Sequence, residues 1–359
     1  MSTVTLKHDI IHVVPLVCLM FISSGAATAE MGIGIVEDRI TRIYREEVYK
    51  DWQEGIVVDS NSGNYIVTYK TDDGSFAEVI MEPATKISPV LKSEVRLSEN
   101  SIDTTYQFKL KNGAASKQNI RAIRTEITSA TPNSVVSSDG WGGGLYPNPQ
   151  MGLAMRLSWS YIAQVSKESK SGLSPGKSLR GFRFESMDLP GVGIIRIEGA
   201  ATQTTWLGHI PEIDSPVGTQ INNLRLNDFV PNFAALPRIP VPTPFNAAAV
   251  LGGVQKHIKE DLVSMKLIDP VLASQLDRLL QAAIDAAKIN NTTAVRSNLK
   301  DLRKLLKKEH EDVDSEDDKD FDKDDANETR KSALIDRLTA RVLDFDLKYV
   351  EKRVKEDKD

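Results

Sequence analysis

The hydrophobic periodicity of the chain changes near residue 245, and that change limits the fold more than any other feature. Upstream, apolar residues recur at every second position in short runs broken by Gly, Pro, Asn and Asp; downstream they recur at every third or fourth. A period of two belongs to strands with one buried face, and a period near 3.6 to helices with one buried stripe. Strand runs and helical runs gathered in separate blocks predict antiparallel sheets followed by a helical part, not an alternating α/β fold. The expected class is mainly β plus α.

Residues 104–112 carry the clearest alternation, with Tyr106, Phe108 and Leu110 set against Gln107, Lys109 and Lys111. Asn112-Gly113 opens a turn, and 120–127, 155–165, 178–186 and 192–199 supply further strands. Short strands joined by turn residues, with no helix between them, predict an antiparallel sandwich over 90–210. A smaller block precedes it. The runs 55–59, 64–70 and 75–81 are separated by SNSG and TDDG, so 30–89 is expected to hold a three-stranded meander. The charged stretch 37–53 fits helix and strand equally.

Between 211 and 245 lie seven prolines, ending in LPRIPVPTP. This composition predicts an extended, polyproline-like linker along the sandwich. A helical module is then expected over 246–359. Val250, Val254, Ile258 and Leu262 recur at every fourth residue, and Asp269-Pro270 supplies an N-cap and a first-turn proline. Leu272, Leu276, Leu279, Ala283 and Ile284 make one stripe; Val295, Leu299, Leu302 and Leu306 make the next. Ile335, Leu338, Val342, Phe345 and Tyr349 make the last. The run 309–328 interrupts the module with twelve carboxylates and two lysines. Such a run repels itself and has little to bury, so it is expected to stay solvated.

The first 29 residues read as a processing signal. An apolar run over 10–22 leads to Ala27-Thr28-Ala29, the A-x-A pattern of a secretory cleavage site. Its thirteen residues fall short of the roughly 20 a membrane-spanning helix needs, so no transmembrane anchor is expected. The predicted location is secreted or periplasmic, with cleavage near Ala29. Cys18, the only cysteine, leaves with this segment, removing disulfides, thiol nucleophiles and thiolate metal sites from the mature chain. A net charge of −5 argues against nucleic acid as a partner, which calls for a basic patch.

Two resemblances accompany these patterns. The run YQFKLKNGAASKQNI, the later Gly140-Trp141, and LSPGKSLRGFRF resemble the strand and turn phrases of immunoglobulin-like modules in exported bacterial proteins, over about residues 90–205. That resemblance implies a sandwich and no particular activity. The segment IDPVLASQLDRLLQAAIDAAKINNTTAVRSNLKDLRKLL is similar to the FIMAH-type helical module of secreted proteins, over about 265–350, departing from it at the acidic run. It implies an attachment or interaction role with no catalytic residues.

Three motifs invite chemistry. Gly172-Leu173-Ser174-Pro175-Gly176 matches the G-x-S-x-G of a hydrolase elbow, and the octet from Ser171 misses a phosphate-binding loop by one residue. Pro175 has no N–H for an oxyanion hole, and the next segment reads as strand, so a type II turn is expected instead. The acidic run offers Asp312, Asp314, Asp320, Asp322 and Asp324 as calcium ligands, but no register of it places glycine at the sixth position of an EF-hand loop. Diffuse Ca2+ binding is what remains. His209, His257 and His310 stand at no metal-ligand spacing. Trp141, within DGWGGG, is the candidate ligand-binding residue: on an exposed glycine loop it would stack on a sugar or anchor a partner, and otherwise it plugs one end of the sandwich. The function expected is that of an exported, non-catalytic binding, adhesion or assembly protein with an extracellular or envelope protein or glycan as partner. The alternatives are a hydrolase of extracellular polymers built on Asp and Glu, and a calcium-responsive surface protein.

Overall fold

A computed structural model of the chain describes residues 41–44, 54–71, 73–98, 103–127, 132–147, 155–162, 172–201, 211–212, 214–309 and 334–356. They form three antiparallel sheets and a set of helices, consistent with a mixed β plus α class. The signal segment and the acidic run lie outside the described residues.

The first sheet is small. β2 (Gly55–Val58), β3 (Tyr65–Lys70) and β4 (Phe76–Met81) pair as consecutive antiparallel strands, and β1 (Thr41–Tyr44) adds beside β4. Part of the ambiguous stretch 37–53 is therefore strand. Gly63 and Gly74 take positive φ of 68° and 87° at the two turns, which is why each separator ends in glycine. Val67, Tyr69, Ala77 and Val79 turn one face of this sheet toward Val217 and Ile221 of α1 (Pro216–Asn227).

The other two sheets pack face to face. One runs β5 (Pro89–Leu97), β6 (Thr104–Asn112), β11 (Ser178–Ser186), β8 (Asn133–Val136). The other runs β13 (Val230–Ile239), β12 (Leu189–Gly199), β7 (Ile120–Ile127), β10 (Met155–Tyr161), β9 (Trp141–Pro147). The alternation read at 104–112 appears as strict burial of every second residue of β6. Trp159 sits at the middle of the shared core, with ring centroids 5.6, 5.7 and 6.2 Å from Phe108, Phe182 and Phe184. Its indole N–H donates to the carbonyl of Val136 at 3.0 Å, so the polar atom is satisfied as well. Each fully buried large side chain of this kind contributes about 1.5–3 kcal/mol.

The tract expected as a linker is not one. Residues 211–245 hold α1 and β13, and β13 pairs with β12 along its length. Pro216 occupies the first turn of α1 behind the N-cap Ser215, where its missing N–H costs nothing. Pro231 and Pro237 are tolerated because β13 is an edge strand with a single neighbour, which leaves half of its N–H groups outside the ladder. One of those groups, on Ala235, donates instead to the hydroxyl of Ser93 on β5 at 2.9 Å and closes that edge of the two-sheet stack.

The helical part comprises α2 (Ala247–His257), a π turn at Ile258–Leu262, α3 (Pro270–Lys288), α4 (Thr292–Glu309) and α5 (Arg337–Glu356). Asn246 and Asp269 cap α2 and α3 as N-cap acceptors, at 3.0 Å from Ala249 N and 2.8 Å from Val271 N. The helices are not appended to the sheets but built onto one. Leu189, Val192, Ala235 and Ile239 of β12 and β13 share a single core with the leucines of α2 to α5. Accordingly the first five residues of β12 are buried on both faces, and only the rest alternate. In α5 the dominant stripe is Ala340, Leu343, Leu347, Val350 and Val354, while Val342 and Tyr349 from the expected stripe are buried too. Both sides of α5 are therefore covered.

Candidate functional site

Ser174 stands in a turn, as the motif chemistry requires. Lys177 N donates to Ser174 O at 3.1 Å, Gly176 has φ 74°, and the chain continues into strand β11. Gly172 lies close against β7, where an added Cβ would meet the Ile120 carbonyl at 2.1 Å. His209 and His310 lie outside the described residues, as do Asp312, Asp314, Asp320, Asp322 and Asp324. His257 is buried between α2 and β12. Its Nε2 accepts from Val192 N at 3.0 Å and its Nδ1 lies 2.6 Å from Asp261 Oδ2, an arrangement that places the proton on Nδ1. Burial holds its pKa below the ordinary value, with Asp261 opposing. This histidine locks a helix to a sheet.

Trp141 is not on an exposed loop. It begins β9, is 7% exposed, and packs edge-on against Phe182 and Tyr161 at centroid distances of 5.1 and 6.1 Å. The glycines that follow are strand residues, because their partner strand β10 brings Trp159 within 2.6 Å of where a Cβ on Gly143 would lie. The indole is a core plug, so the stacking role expected of Trp141 passes elsewhere.

Among the described residues, helices cover the β12–β13 end of the outer face of the five-stranded sheet, and side chains of β7, β9 and β10 form the rest of it. Even-numbered residues of β9 point to this face. The ring of Tyr146 lies over Gly144, 3.2–3.4 Å from the place a Cβ would occupy, and Ile162 lies over Gly142 in the same manner. Both remain open, Tyr146 at 50% and Ile162 at 57% exposed. Arg156 stands directly across from Tyr146 on β10, and its guanidinium Nε is buried without a hydrogen-bond partner. Ser160, half-buried, stands across from Gly142.

Two ion pairs continue the surface across the sheet. Arg124 on β7 bonds Glu198 on β12, and Arg196 lies 3.5 Å from Glu126. Burial raises the Glu198 carboxyl and lowers the Arg124 guanidinium, each opposed by the other's charge. Glu198 is thus engaged with an arginine and is not a free acid. Arg196 also covers the Phe229 ring at 4.6 Å, and exposed Ile194 and Phe233 pair across β12 and β13. Arg156 stands across from Glu126 as well as from Tyr146, and the charges of Arg238 and Arg121 reach Glu126 and Glu198, so arginines and carboxylates interleave over this face. The open Tyr146 ring beside them can stack on a flat ligand.

A second opening of about 360 Å³ lies between the small sheet and the sandwich, lined by Ser62, Lys86, Ser88, Ser116 and Lys117 among others. Its polar groups are largely committed internally: Lys86 Nζ donates to Asn64 Oδ1 at 2.5 Å, and Ser116 Oγ accepts from Ser88 N at 2.7 Å. Among the described residues no cluster of His, Cys, Asp and Glu has the makings of a metal site, and no helix is long and apolar enough to cross a membrane. Sequence reasoning missed Tyr146 and Arg156 because the GGG run reads as a loop; the alternation of Gly142, Gly144 and Tyr146 was the available signal. Comparison with known protein families and with curated proteins gives no match.

Proposed function

We propose that the chain is an exported, non-catalytic binding or assembly protein that engages an extracellular or envelope partner through the open part of its five-stranded sheet. The observation that carries this reading is an exposed aromatic, Tyr146, resting on Gly144 and standing across from the half-buried Arg156 on the neighbouring strand. A ring already resting on the sheet has less freedom to lose when a partner docks than one free in solvent. Export rests on the apolar segment and the A-x-A pattern at its end.

The immunoglobulin-like reading has support in strand order. β5-β6-β11-β8 and β13-β12-β7-β10-β9 occupy the ABED and GFCC′C″ positions of a nine-strand sandwich of that type. The middle of the chain visits those positions in reverse, taking β8, then β9, then β10. The FIMAH-type reading draws on the helical hairpin of α3 and α4.

The test is capture from envelope and medium fractions by the full chain and by the double variant Tyr146→Ala, Arg156→Ala. Specific capture that the variant loses, with its unfolding midpoint unchanged, is the expected result. A wild-type chain that retains nothing specific, or a variant that captures as well as wild type, overturns the reading. Amino-terminal sequencing of the exported form, expected to begin at Glu30, tests the export.

A further inference from the structure

We propose that His257 is a pH-operated latch between the helical part and the five-stranded sheet: while neutral it holds the end of α2 on β12, and on taking up a second proton it lets go. The latch is independent of the docking face and of whatever occupies it.

A break in the sheet creates the socket. Ala235, across from Val192 on β13, sends its own N–H outward to Ser93 Oγ, so the Val192 N–H is directed to the opposite side of β12. On that side the described ladder with β7 stops at Arg196, four residues from Val192. A buried N–H left without an acceptor is costly. His257 Nε2 supplies the acceptor at 3.0 Å from outside the sheet. Gly191 makes the approach possible, because a Cβ there would meet Nε2 at 2.7 Å.

The socket has room for one proton only. Nδ1 donates to Oδ2 of Asp261, in the π turn that follows α2, at 2.6 Å, and the imidazole is 4% exposed. A second proton would sit on Nε2 and point at the Val192 N–H, donor against donor. Asp261 is 47% exposed, so the charged ring can move outward and keep its ion pair.

The charges that act on the ring are Asp261 on its own turn and Arg238 on β13, whose guanidinium lies over Gly193. β12 meets the ring with backbone, and Glu126 of β7 acts on Arg238. Asp277 of α3 bonds Lys259 and Gln255, while α3 and α5 meet Val254 and Ile258 through Leu276, Leu280, Leu343 and Leu347. Burial, joined by Arg238, favours the neutral ring, and Asp261 opposes them. Opening therefore becomes more frequent as pH falls below about 6.5, by up to about tenfold per pH unit.

The experiment is amide hydrogen exchange of the full chain, followed by NMR from about pH 8 to 5 and corrected for intrinsic rates. Val192 should lose protection below about pH 6.5, in step with titration of the His257 ring, while the Ile123 and Trp159 amides of the sandwich keep theirs. His257→Gln keeps an acceptor facing Val192 and cannot titrate, so it should leave Val192 protected throughout. Asp261→Asn removes the counter-charge and should move the opening to lower pH. Val192 protection that does not change with pH, that is lost together with Ile123 and Trp159, or that falls equally in His257→Gln overturns the latch. Should His257→Gln fail to fold, the wild type decides: Val192 opening without the ring titrating, or the ring titrating without Val192 opening, overturns it.

Discussion

Asp346 carries the largest electrostatic cost among the described residues of α5. It has no exposed surface, and neither carboxylate oxygen has a hydrogen-bond partner. Burial raises its pKa well above the ordinary value of 3.8, so the folded chain holds this proton to higher pH than the unfolded one does. The sign follows from proton counting. Below about pH 4 both states hold the proton and the group is neutral to stability; as pH rises toward the folded pKa, only the unfolded state gains by ionising. Stability is therefore lost with rising pH, at about 1.4 kcal/mol per pH unit. Asp346→Asn should remove that slope and make the chain more stable than wild type near neutrality, measured by urea unfolding at a series of pH values. His257 acts with the opposite sign: its lowered pKa costs stability as pH falls below 6.5. Thr339 and Arg353, seven residues to either side of Asp346, also bury polar atoms without partners. Thr339, Asp346 and Arg353 thus form a polar line at heptad spacing beside the apolar stripe, which has the same spacing.

Strands and turns were the most legible elements, and the proline-rich tract the least. β6, β11 and the small meander follow from alternation and turn chemistry, which act over a few residues. β13 does not, because prolines at positions 231 and 237 argue against any strand except one with a single neighbour, and edge status is a property of the sheet. The same reasoning applies to β9. Its glycines are flexible in isolation and become strand only where β10 supplies Trp159, and the residue after it, Ile162, to lie over them. Trp141 is accordingly a packing residue. Trp141→Ala is expected to cost about 3–5 kcal/mol in chemical unfolding while capture from envelope and medium fractions by the folded fraction is unchanged. A small stability loss with abolished binding would return Trp141 to the ligand face.

At the scale of the molecule, the sandwich and the helices are one structure. Leu189, Val192, Ala235 and Ile239 turn away from the sandwich core into the helical core. Asp269 N to Leu334 O at 2.7 Å and Asp336 N to Leu267 O at 2.8 Å tie the starts of α3 and α5 together across the acidic run. A chain ending at residue 245 should uncover those four sheet residues, losing several kcal/mol and self-associating, as read by denaturant titration and light scattering. A truncated chain that stayed monomeric with wild-type stability would make the helices a separable module.

Periodicity, caps and turn residues mark the strands and helices other than β9, α1 and β13, because the forces involved reach only neighbouring residues. They also carried the helices beyond residue 245 and the disqualification of Ser174, since a proline lacks its N–H wherever it stands. Which face of the five-stranded sheet lies under helices, why Asp346 keeps a proton, and how Tyr146 comes to lie beside Arg156 were decided only in the folded molecule. Each depends on groups far apart in the chain, where burial and register, not local propensity, determine the energy.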